Sequence, residues 1–289
     1  MLHILRLLRP LQWMKNVFVL APLFFTGRLL DWSLLAPTLV VFAAFCLAAS
    51  SIYCLNDVSD VESDRQHPKK RLRPIASGAV SVGAGYATMA LCMLLALLLS
   101  FSAGFQSLVC LLLYLAINVG YCLKLKQKAI VDVVLIAMGF VLRVLAGGLV
   151  AGIWISEWLV LMTFLLTLLL ALAKRNDDFR LFVQTGHEPR KSITGYNRDF
   201  INQAVSILAA VTLVCYIMYT MSPDVIQRMG TRYVYLTIFW VLAGLLRYMQ
   251  NMIVYGRSGS PTKAMVKDRF LLLCVIGWIL SFFIIIYLK

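Results

Sequence analysis

Apolar runs of about twenty residues dominate the sequence and decide what it can fold into. Nine of them can be drawn, at 16–35, 36–56, 80–100, 105–123, 130–150, 157–173, 202–221, 232–250 and 270–288. Each is close to the ~20 residues that a helix needs to cross the hydrocarbon core of a bilayer. Of the 289 residues 61% are hydrophobic, far above the share in a soluble domain. The sequence therefore predicts an all-α polytopic membrane protein, a single domain over residues 1–289 with nine transmembrane helices.

Basic residues between the runs set the expected orientation. Lys and Arg concentrate in alternate connections, near 57–79, 124–129, 174–201 and 251–269. Because cytoplasmic loops carry such an excess, we expect the N-terminus and these loops inside a bacterial inner membrane, with the C-terminus outside. Residues 1–15 interleave bases with Leu and Trp, which favours an interfacial amphipathic helix rather than a cleaved signal. Orientation explains much of the net charge of +14, so nucleic-acid binding is not predicted.

An acidic stretch follows the second run: Asn56-Asp57-Val58-Ser59-Asp60-Val61-Glu62-Ser63-Asp64. At about 100° per helical residue, Asp57, Asp60 and Asp64 fall within roughly 60° of one another, whereas Glu62 points away. Carboxylates that share a face repel unless a cation lies between them, and oxygen-only ligands suit Mg²⁺. The spacing predicts a magnesium site on this face. The alternative is a solvated helix end whose acids pair with the bases that follow.

One arginine stands inside an apolar run. Arg143 lies about thirteen residues into the fifth run, and a charge at that depth is costly unless it faces a polar partner or cavity. We expect it to pair with the site, in a functional or a structural role. Gly147 and Gly148 predict a close approach of another segment nearby. Asp132, at the start of the same run, either caps the helix or takes part in the site.

Further bases lie at the inner ends of other runs. Lys126 follows Tyr121 and equally suits ordinary membrane anchoring. Lys174 is one turn before Asp178 and could simply pair with it. The next inner connection adds Arg190, Lys191 and Tyr196. Bases at this density beside an acidic metal face suit a ligand with two phosphorylated positions.

These residues carry a resemblance that covers the chain to about residue 220. The chain resembles the UbiA superfamily of intramembrane prenyltransferases and, within it, the decaprenyl-phosphate phosphoribosyltransferase branch. The matching stretches are Arg9-Pro10-Leu11-Gln12-Trp13-Met14-Lys15-Asn16, Asn56 to Asp64, His67-Pro68-Lys69-Lys70-Arg71-Leu72-Arg73-Pro74-Ile75-Ala76-Ser77-Gly78, Tyr121 with Leu125-Lys126, Val131-Asp132, Leu142-Arg143 with Ala146-Gly147-Gly148, Lys174-Arg175, and Arg190-Lys191-Ser192 with Tyr196. The second Asp-rich DxxxD motif of the aromatic prenyltransferases is missing, since Lys174-Arg175-Asn176-Asp177-Asp178 stands in its place.

The resemblance implies a bundle of helices with a polar cavity that faces the cytoplasm. It implies Mg²⁺-dependent transfer of 5-phosphoribose from phosphoribosyl diphosphate to a polyprenyl phosphate, a step toward lipid-linked arabinofuranose for the cell envelope. Asp57, Asp60 and Asp64 would be the catalytic metal ligands. The residues implied in substrate binding are Lys15, Asn56, Arg73, Tyr121, Lys126, Arg143, Lys174, Arg190, Lys191 and Tyr196, with Lys15 and Arg73 open between the lipid phosphate and the phosphoribosyl donor.

Two other functions stay open at this point. An aromatic prenyltransferase of quinone or haem synthesis would use a lipid diphosphate as its donor, and the missing DxxxD motif weighs against it. A transporter would carry internal repeats and helices broken near the midplane, whereas the polar groups here cluster at the inner boundary. A homo-oligomer is compatible with the sequence as well.

Overall fold

The computed structural model describes residues 2–66, 70–186, 191–256 and 267–288. Over these ranges the chain is helical and contains no strand. The α-helices are α1 (Leu2–Leu8), α2 (Ala21–Phe25), α3 (Trp32–Ser59), α4 (Val61–Gln66), α5 (Val82–Ser102), α6 (Phe105–Leu123), α7 (Val131–Val150), α8 (Glu157–Thr185), α9 (Arg198–Met221), α10 (Pro223–Met229), α11 (Ile238–Ile253) and α12 (Arg269–Tyr287). Short 3₁₀ segments cover Pro10–Leu20, Lys70–Leu72, Leu125–Gln127, Lys191–Gly195 and Tyr233–Thr237.

Within the described ranges, eight helices are long and apolar enough to cross a membrane. They are α3, α5, α6, α7, α8, α9, α12 and the segment Tyr233–Ile253. The predicted all-α polytopic membrane protein is therefore confirmed, whereas the predicted count of nine spans is not.

The predicted first span, 16–35, is divided in the structure. It contains the end of the 3₁₀ helix Pro10–Leu20, then α2, a turn and the start of α3. The break follows from local chemistry: Gly27 takes a left-handed φ of +72°, and the Asp31 carboxylate accepts the Ser33 N–H at 3.1 Å and so caps α3. The segment before it is also divided, because Arg9, with φ +53°, separates α1 from the 3₁₀ helix. The predicted interfacial helix over 1–15 is thus two elements, and its membrane position stays a prediction.

Helix α8 corrects a second predicted boundary. The sixth apolar run ends at 173, but the helix continues through the charged residues to Thr185. A helix can continue through charged residues, because Gly and Pro disfavour it far more than polarity does. The first glycine after this run, Gly186, has a φ of +65° and ends the helix. Lys174, Arg175 and Asp178 therefore stand on a helix and not in a loop.

The chain divides into two compact units, each with its own apolar core. The first comprises Met1–Leu123 with Gly139–Ile155, and the second comprises Lys124–Met138 with Ser156–Lys289. The core of the first unit includes Phe45, Leu111 and Ala146, and that of the second includes Leu169 and Ile201. That the whole chain forms a single domain stays a prediction.

The first unit confirms the close approach predicted at the paired glycines of α7. A Cβ atom on Gly147 would collide with the carbonyl group of Val19, and one on Gly148 would collide with the side chain of Ile155. Glycine at both positions lets the 3₁₀ helix and the segment after α7 pack directly against the α7 backbone.

Candidate active site

The acidic motif spans the junction between α3 and α4. Although regular helix stops at Ser59, the backbone hydrogen bonds continue: the Asp60 N–H donates to the Asn56 carbonyl at 2.9 Å, and the Asp64 N–H donates to the Asp60 carbonyl at 2.8 Å. Asp57 and Asp64 therefore stay two helical turns apart on one side, and each side chain is only 1% exposed. Glu62 is exposed, as the helical-face argument predicts.

Two guanidinium groups balance this buried acidic pair, which comprises Asp57 and Asp64. Nη1 of Arg73 lies 2.6 Å from Oδ2 of Asp64 and 3.1 Å from Oδ1 of Asp57. Nη2 of Arg9 lies 2.6 Å from the same Asp57 oxygen, and its guanidinium group stands 4.8 Å from the ring centre of Tyr53. Arg73 was predicted as a site residue, but Arg9 was not.

The acidic pair retains two carboxylate oxygens that fit a hard cation. Oδ2 of Asp57 and Oδ1 of Asp64 are buried and have no hydrogen-bond partner among the described residues. A buried carboxylate oxygen without a partner is costly, and a metal ion would remove that cost. Mg²⁺ usually takes one or two carboxylates and completes its shell with phosphates and water, so the pair is sufficient.

The predicted third ligand does not join the pair in one cluster. In the part of the chain that the structure describes, no three His, Cys, Asp or Glu side chains are arranged as a metal site. Asp60 caps α3 and is half-buried, at the junction of the two helices. Its role as a metal ligand stays a prediction.

Other predicted residues of the first unit lie on neighbouring elements. The side-chain oxygen of Asn56 accepts a long contact of 3.8 Å from the Cys122 thiol, which places Asn56 beside the end of α6, where Tyr121 also stands. Lys15 is half-buried in the 3₁₀ helix Pro10–Leu20. Their parts in substrate binding stay predictions.

Arg143 is buried and anchored by protein groups. Its Nε donates to Oδ1 of Asn16 at 2.6 Å, Nη1 to the Gly139 carbonyl at 2.6 Å, and Nη2 to the Tyr114 hydroxyl at 3.1 Å. The guanidinium group also stands 4.6 Å from the Tyr114 ring centre and 5.1 Å from that of Phe140. Its depth in the run predicted polar partners, and the structure supplies them. That Arg143 pairs with the site stays a prediction. Since these bonds use three of its five N–H groups, a part in donor binding stays a prediction.

The second unit holds a separate buried polar network around Asp132. Oδ1 of Asp132 accepts the Tyr196 hydroxyl at 2.7 Å, and Oδ2 accepts the Ser192 hydroxyl at 3.3 Å. Nε of Arg175 lies 2.9 Å from Oδ2, and Nη1 of Arg175 pairs with Asp178 at 2.6 Å. The Asp132 carboxylate thus binds side chains from other segments of the chain. A part of Asp132 in the site stays a prediction.

Tyr196 is an interior anchor of this network. Its hydroxyl accepts the Ile130 N–H at 2.7 Å while it donates to Asp132. Burial, and then the hydrogen bond to Asp132, raises the pKa of Tyr196 above its ordinary value, so the phenol stays protonated and keeps donating.

The predicted bases of the second unit lie on or near its surface. Lys191 and Lys174 are exposed, and Lys126 is half-buried. The turn Leu125–Gln127, which holds Lys126, packs against the turn Lys191–Gly195. Arg190 lies outside the described residues.

Sequence reasoning gave no role to Arg9, Arg175 or Ser192. Each of them belongs to a stretch that carries the family resemblance, and that was the available signal. Their partners, however, are distant along the chain: Arg9 and Asp57 are 48 residues apart, and Ser192 and Asp132 are 60 apart.

Comparisons with known proteins agree with this architecture. Residues 17–182 match the model of the UbiA prenyltransferase family. The decaprenyl-phosphate phosphoribosyltransferase of Mycolicibacterium smegmatis is 33% identical over 286 residues, which cover 96% of this chain and 90% of that protein. The protein of the same name from Corynebacterium glutamicum is 31% identical over 98% of this chain and 86% of its own length. A UbiA homologue from Archaeoglobus fulgidus, solved with DMAPP and Mg²⁺, superposes with a TM-score of 0.72 at 16% identity over 99% of both chains.

Proposed function

Because the chain belongs to the UbiA prenyltransferase family, we propose that it transfers 5-phosphoribose from phosphoribosyl diphosphate to a polyprenyl phosphate. The observation that supports the proposal is the similarity, along nearly the whole chain, to two proteins named decaprenyl-phosphate phosphoribosyltransferase. The acidic pair and the two lysine-bearing turns supply the groups that such substrates need. The products are 5-phosphoribosyl polyprenyl phosphate, which keeps the lipid phosphate, and diphosphate.

The proposed transfer breaks one bond and forms one. The bond between ribose C1 and the diphosphate oxygen breaks, and its electron pair leaves with the diphosphate. An oxygen of the lipid phosphate forms the new bond to C1. A phosphate oxygen is already ionised near neutral pH, so the reaction requires no general base. This agrees with a site built from carboxylates, Lys and Arg.

The first unit would handle the leaving diphosphate. Asp57 and Asp64 are the proposed ligands of Mg²⁺, with Asp60 as a further ligand. When bound, the metal supplies positive charge for the oxygen that departs from C1. Arg73 already lies against both carboxylates. Arg73 and Lys15 are both proposed to bind a phosphate, of either the donor or the lipid.

A second group of bases is proposed for the 5-phosphate of the phosphoribosyl donor. Phosphoribosyl diphosphate carries a 5-phosphate that needs cations away from the metal. Lys126, Lys174, Arg190 and Lys191 are proposed for its phosphates, because ammonium and guanidinium groups form charge-assisted bonds to phosphate oxygens. A prenyltransferase that uses a lipid diphosphate would not need this second cationic group.

The proposed location follows from the apolar helices and the distribution of bases. The chain is a multi-pass membrane protein, and we propose that it lies in a bacterial inner membrane with its charged face toward the cytoplasm. The donor is water-soluble and would reach the site from that side. The lipid product is proposed to feed the synthesis of lipid-linked arabinofuranose for the cell envelope.

A comparison of two substrate pairs tests the proposal. Purified protein in nanodiscs receives Mg²⁺ and either phosphoribosyl diphosphate with a polyprenyl phosphate or a prenyl diphosphate with an aromatic acid. We expect a lipid product from the first pair and none from the second. The opposite result would overturn the proposal in favour of an aromatic prenyltransferase.

A further inference from the structure

The buried carboxylate of Asp132 has no part in the proposed bond exchange. It is fully buried and faces Arg175, which is also buried. An ion pair in such a place is weak support for stability, since apolar residues of similar volume often stabilise as well or better. The arrangement of its partners points to a different use.

Those partners tie two separate segments of backbone together. Ser192 and Tyr196, both bound to Asp132, belong to the turn Lys191–Gly195 and the residue after it. The Tyr196 hydroxyl also accepts the N–H of Ile130, which directly precedes α7. Ile130 has a φ of +68°, a value that a β-branched residue rarely adopts. The bond from its N–H to Tyr196 therefore holds a strained turn in place.

The contact between the two segments is close. A Cβ atom on Gly195 would lie 2.6 Å from the Cβ of Ala129, so a larger residue would push the segments apart. Each segment carries a lysine of the proposed donor site, Lys126 on one side and Lys191 on the other.

We propose that Asp132 is a positioning residue that fixes the two lysine-bearing turns, Leu125–Gln127 and Lys191–Gly195, as one phosphate-binding surface. It acts through Tyr196 and Ser192 and does not touch the substrate. The inference rests on the proposed function, because it takes the 5-phosphate of phosphoribosyl diphosphate as the ligand. Donor affinity would then also depend on hydrogen bonds between protein groups that do not contact a phosphate.

Tyr196→Phe is the main test, because it removes one hydroxyl and keeps the ring. Losing the two bonds of that hydroxyl should loosen the turns and raise the KM for phosphoribosyl diphosphate about threefold to tenfold. The KM for polyprenyl phosphate should not change. Hydrogen exchange at the Ile130 amide should accelerate as well, since this N–H loses its acceptor. Asp132→Asn should have a larger effect in both measurements, if the variant folds.

Tyr248→Phe is the matched control. Tyr248 is also buried in the second unit, and its hydroxyl has no hydrogen-bond partner among the described residues. Removing that hydroxyl should change neither KM nor the exchange of Ile130. If Tyr196→Phe changes the two KM values equally, or no more than Tyr248→Phe does, the positioning role is overturned.

A double variant separates positioning from general stability. If Tyr196 acts through Lys191, adding Tyr196→Phe to Lys191→Ala should raise the KM for the donor much less than it does in the wild type. A merely structural role predicts that the two effects multiply.

Direct binding of labelled phosphoribosyl diphosphate, with no lipid present, keeps the two proposals distinguishable. Wild-type protein that fails to bind it contradicts the proposed function, and with it the inference. Wild-type protein that binds it while Tyr196→Phe binds equally well overturns only the inference.

Discussion

Replacing Arg73 by Met tests how the acidic pair is balanced. A single nitrogen of Arg73 contacts both carboxylates, at 2.6 Å for Asp64 and 3.1 Å for Asp57. Met keeps most of the apolar length of the side chain but donates no hydrogen bond. In the variant, Asp57 retains Arg9 at 2.6 Å, whereas Asp64 loses the cation that it contacts in the structure. The cost should therefore fall mainly on Asp64.

The geometry sets the size of the expected loss. A hydrogen bond to a charged group contributes about 1.5–3 kcal/mol, and breaking a buried pair costs about 3–5 kcal/mol. Asp64 is 1% exposed but Arg73 is 24% exposed, so water screens one end of the pair. We expect Arg73→Met to lower the free energy of unfolding by about 3 kcal/mol, the low end of that range. Asp64→Asn removes the charge itself and should cost only about 1–2 kcal/mol.

Equilibrium unfolding in mixed micelles, with divalent metals chelated, measures these losses. The double variant combines Arg73→Met with Asp64→Asn. Its loss of unfolding free energy should be smaller than the sum of the two single losses, by about 1.5–3 kcal/mol. Arg71→Met is the control, because Arg71 is an exposed arginine on the 3₁₀ segment Lys70–Leu72, just before Arg73, and its replacement should cost little. Equal losses for Arg73→Met and Arg71→Met, or strictly additive losses in the double variant, would refute the reasoning.

The remaining predictions concern the acidic pair, the second lysine turn and the last helix. Asp57→Asn should lower turnover by about two to three orders of magnitude, while Glu62→Gln, at an exposed position, should change initial rates little; equal losses would contradict the assigned face. Lys191→Ala should raise the KM for phosphoribosyl diphosphate roughly tenfold to hundredfold and spare the lipid KM; a selective lipid effect in steady-state kinetics would move this turn to the acceptor side. Burial acts to raise the pKa of Asp268, but hydrogen bonds from the Leu271 N–H and two side chains outweigh it and lower the pKa. A lowered folded-state pKa contributes stability above the unfolded value, so the stability difference between wild type and Asp268→Ala should shrink as pH falls below about 4, and a difference that grows would contradict this sign.

Most of the fold could be predicted because hydrophobic length determines membrane spans. The eight spans of the structure each overlap a predicted run. The first run was predicted as one continuous span, but a turn at Gly27 and the Asp31 cap divide it. Apolar composition alone does not reveal such turns. The end of α8 was predicted too early for the opposite reason. The helix continues to Thr185 because residues of good helix propensity follow the last apolar ones. Span prediction thus fails where backbone preference and polarity disagree.

The site could be predicted only where its partners are close in the chain. Asp57 and Asp64 are seven residues apart, so helical periodicity alone places them on one side, and Arg73 follows Asp64 by 9 residues. The pairing of Arg9 with Asp57, and of Tyr196 with Asp132, depends on tertiary packing that no local pattern encodes. Arg143 lies between these cases, because its depth in an apolar run predicts a polar partner but does not identify Asn16.

The most direct measurement follows the two halves of the phosphoribosyl donor separately. Phosphoribosyl diphosphate carrying ¹⁴C in the ribose and ³²P in the β-phosphate is given to the purified protein with Mg²⁺ and polyprenyl phosphate, and the lipid is then extracted. We expect ¹⁴C in the lipid phase, in equal amount to ³²P released as free diphosphate in the aqueous phase, and initial rates of both signals lowered by about two to three orders of magnitude with Asp57→Asn. Recovery of both labels in unchanged phosphoribosyl diphosphate, under conditions in which the protein is folded and both substrates are present, would contradict this expectation.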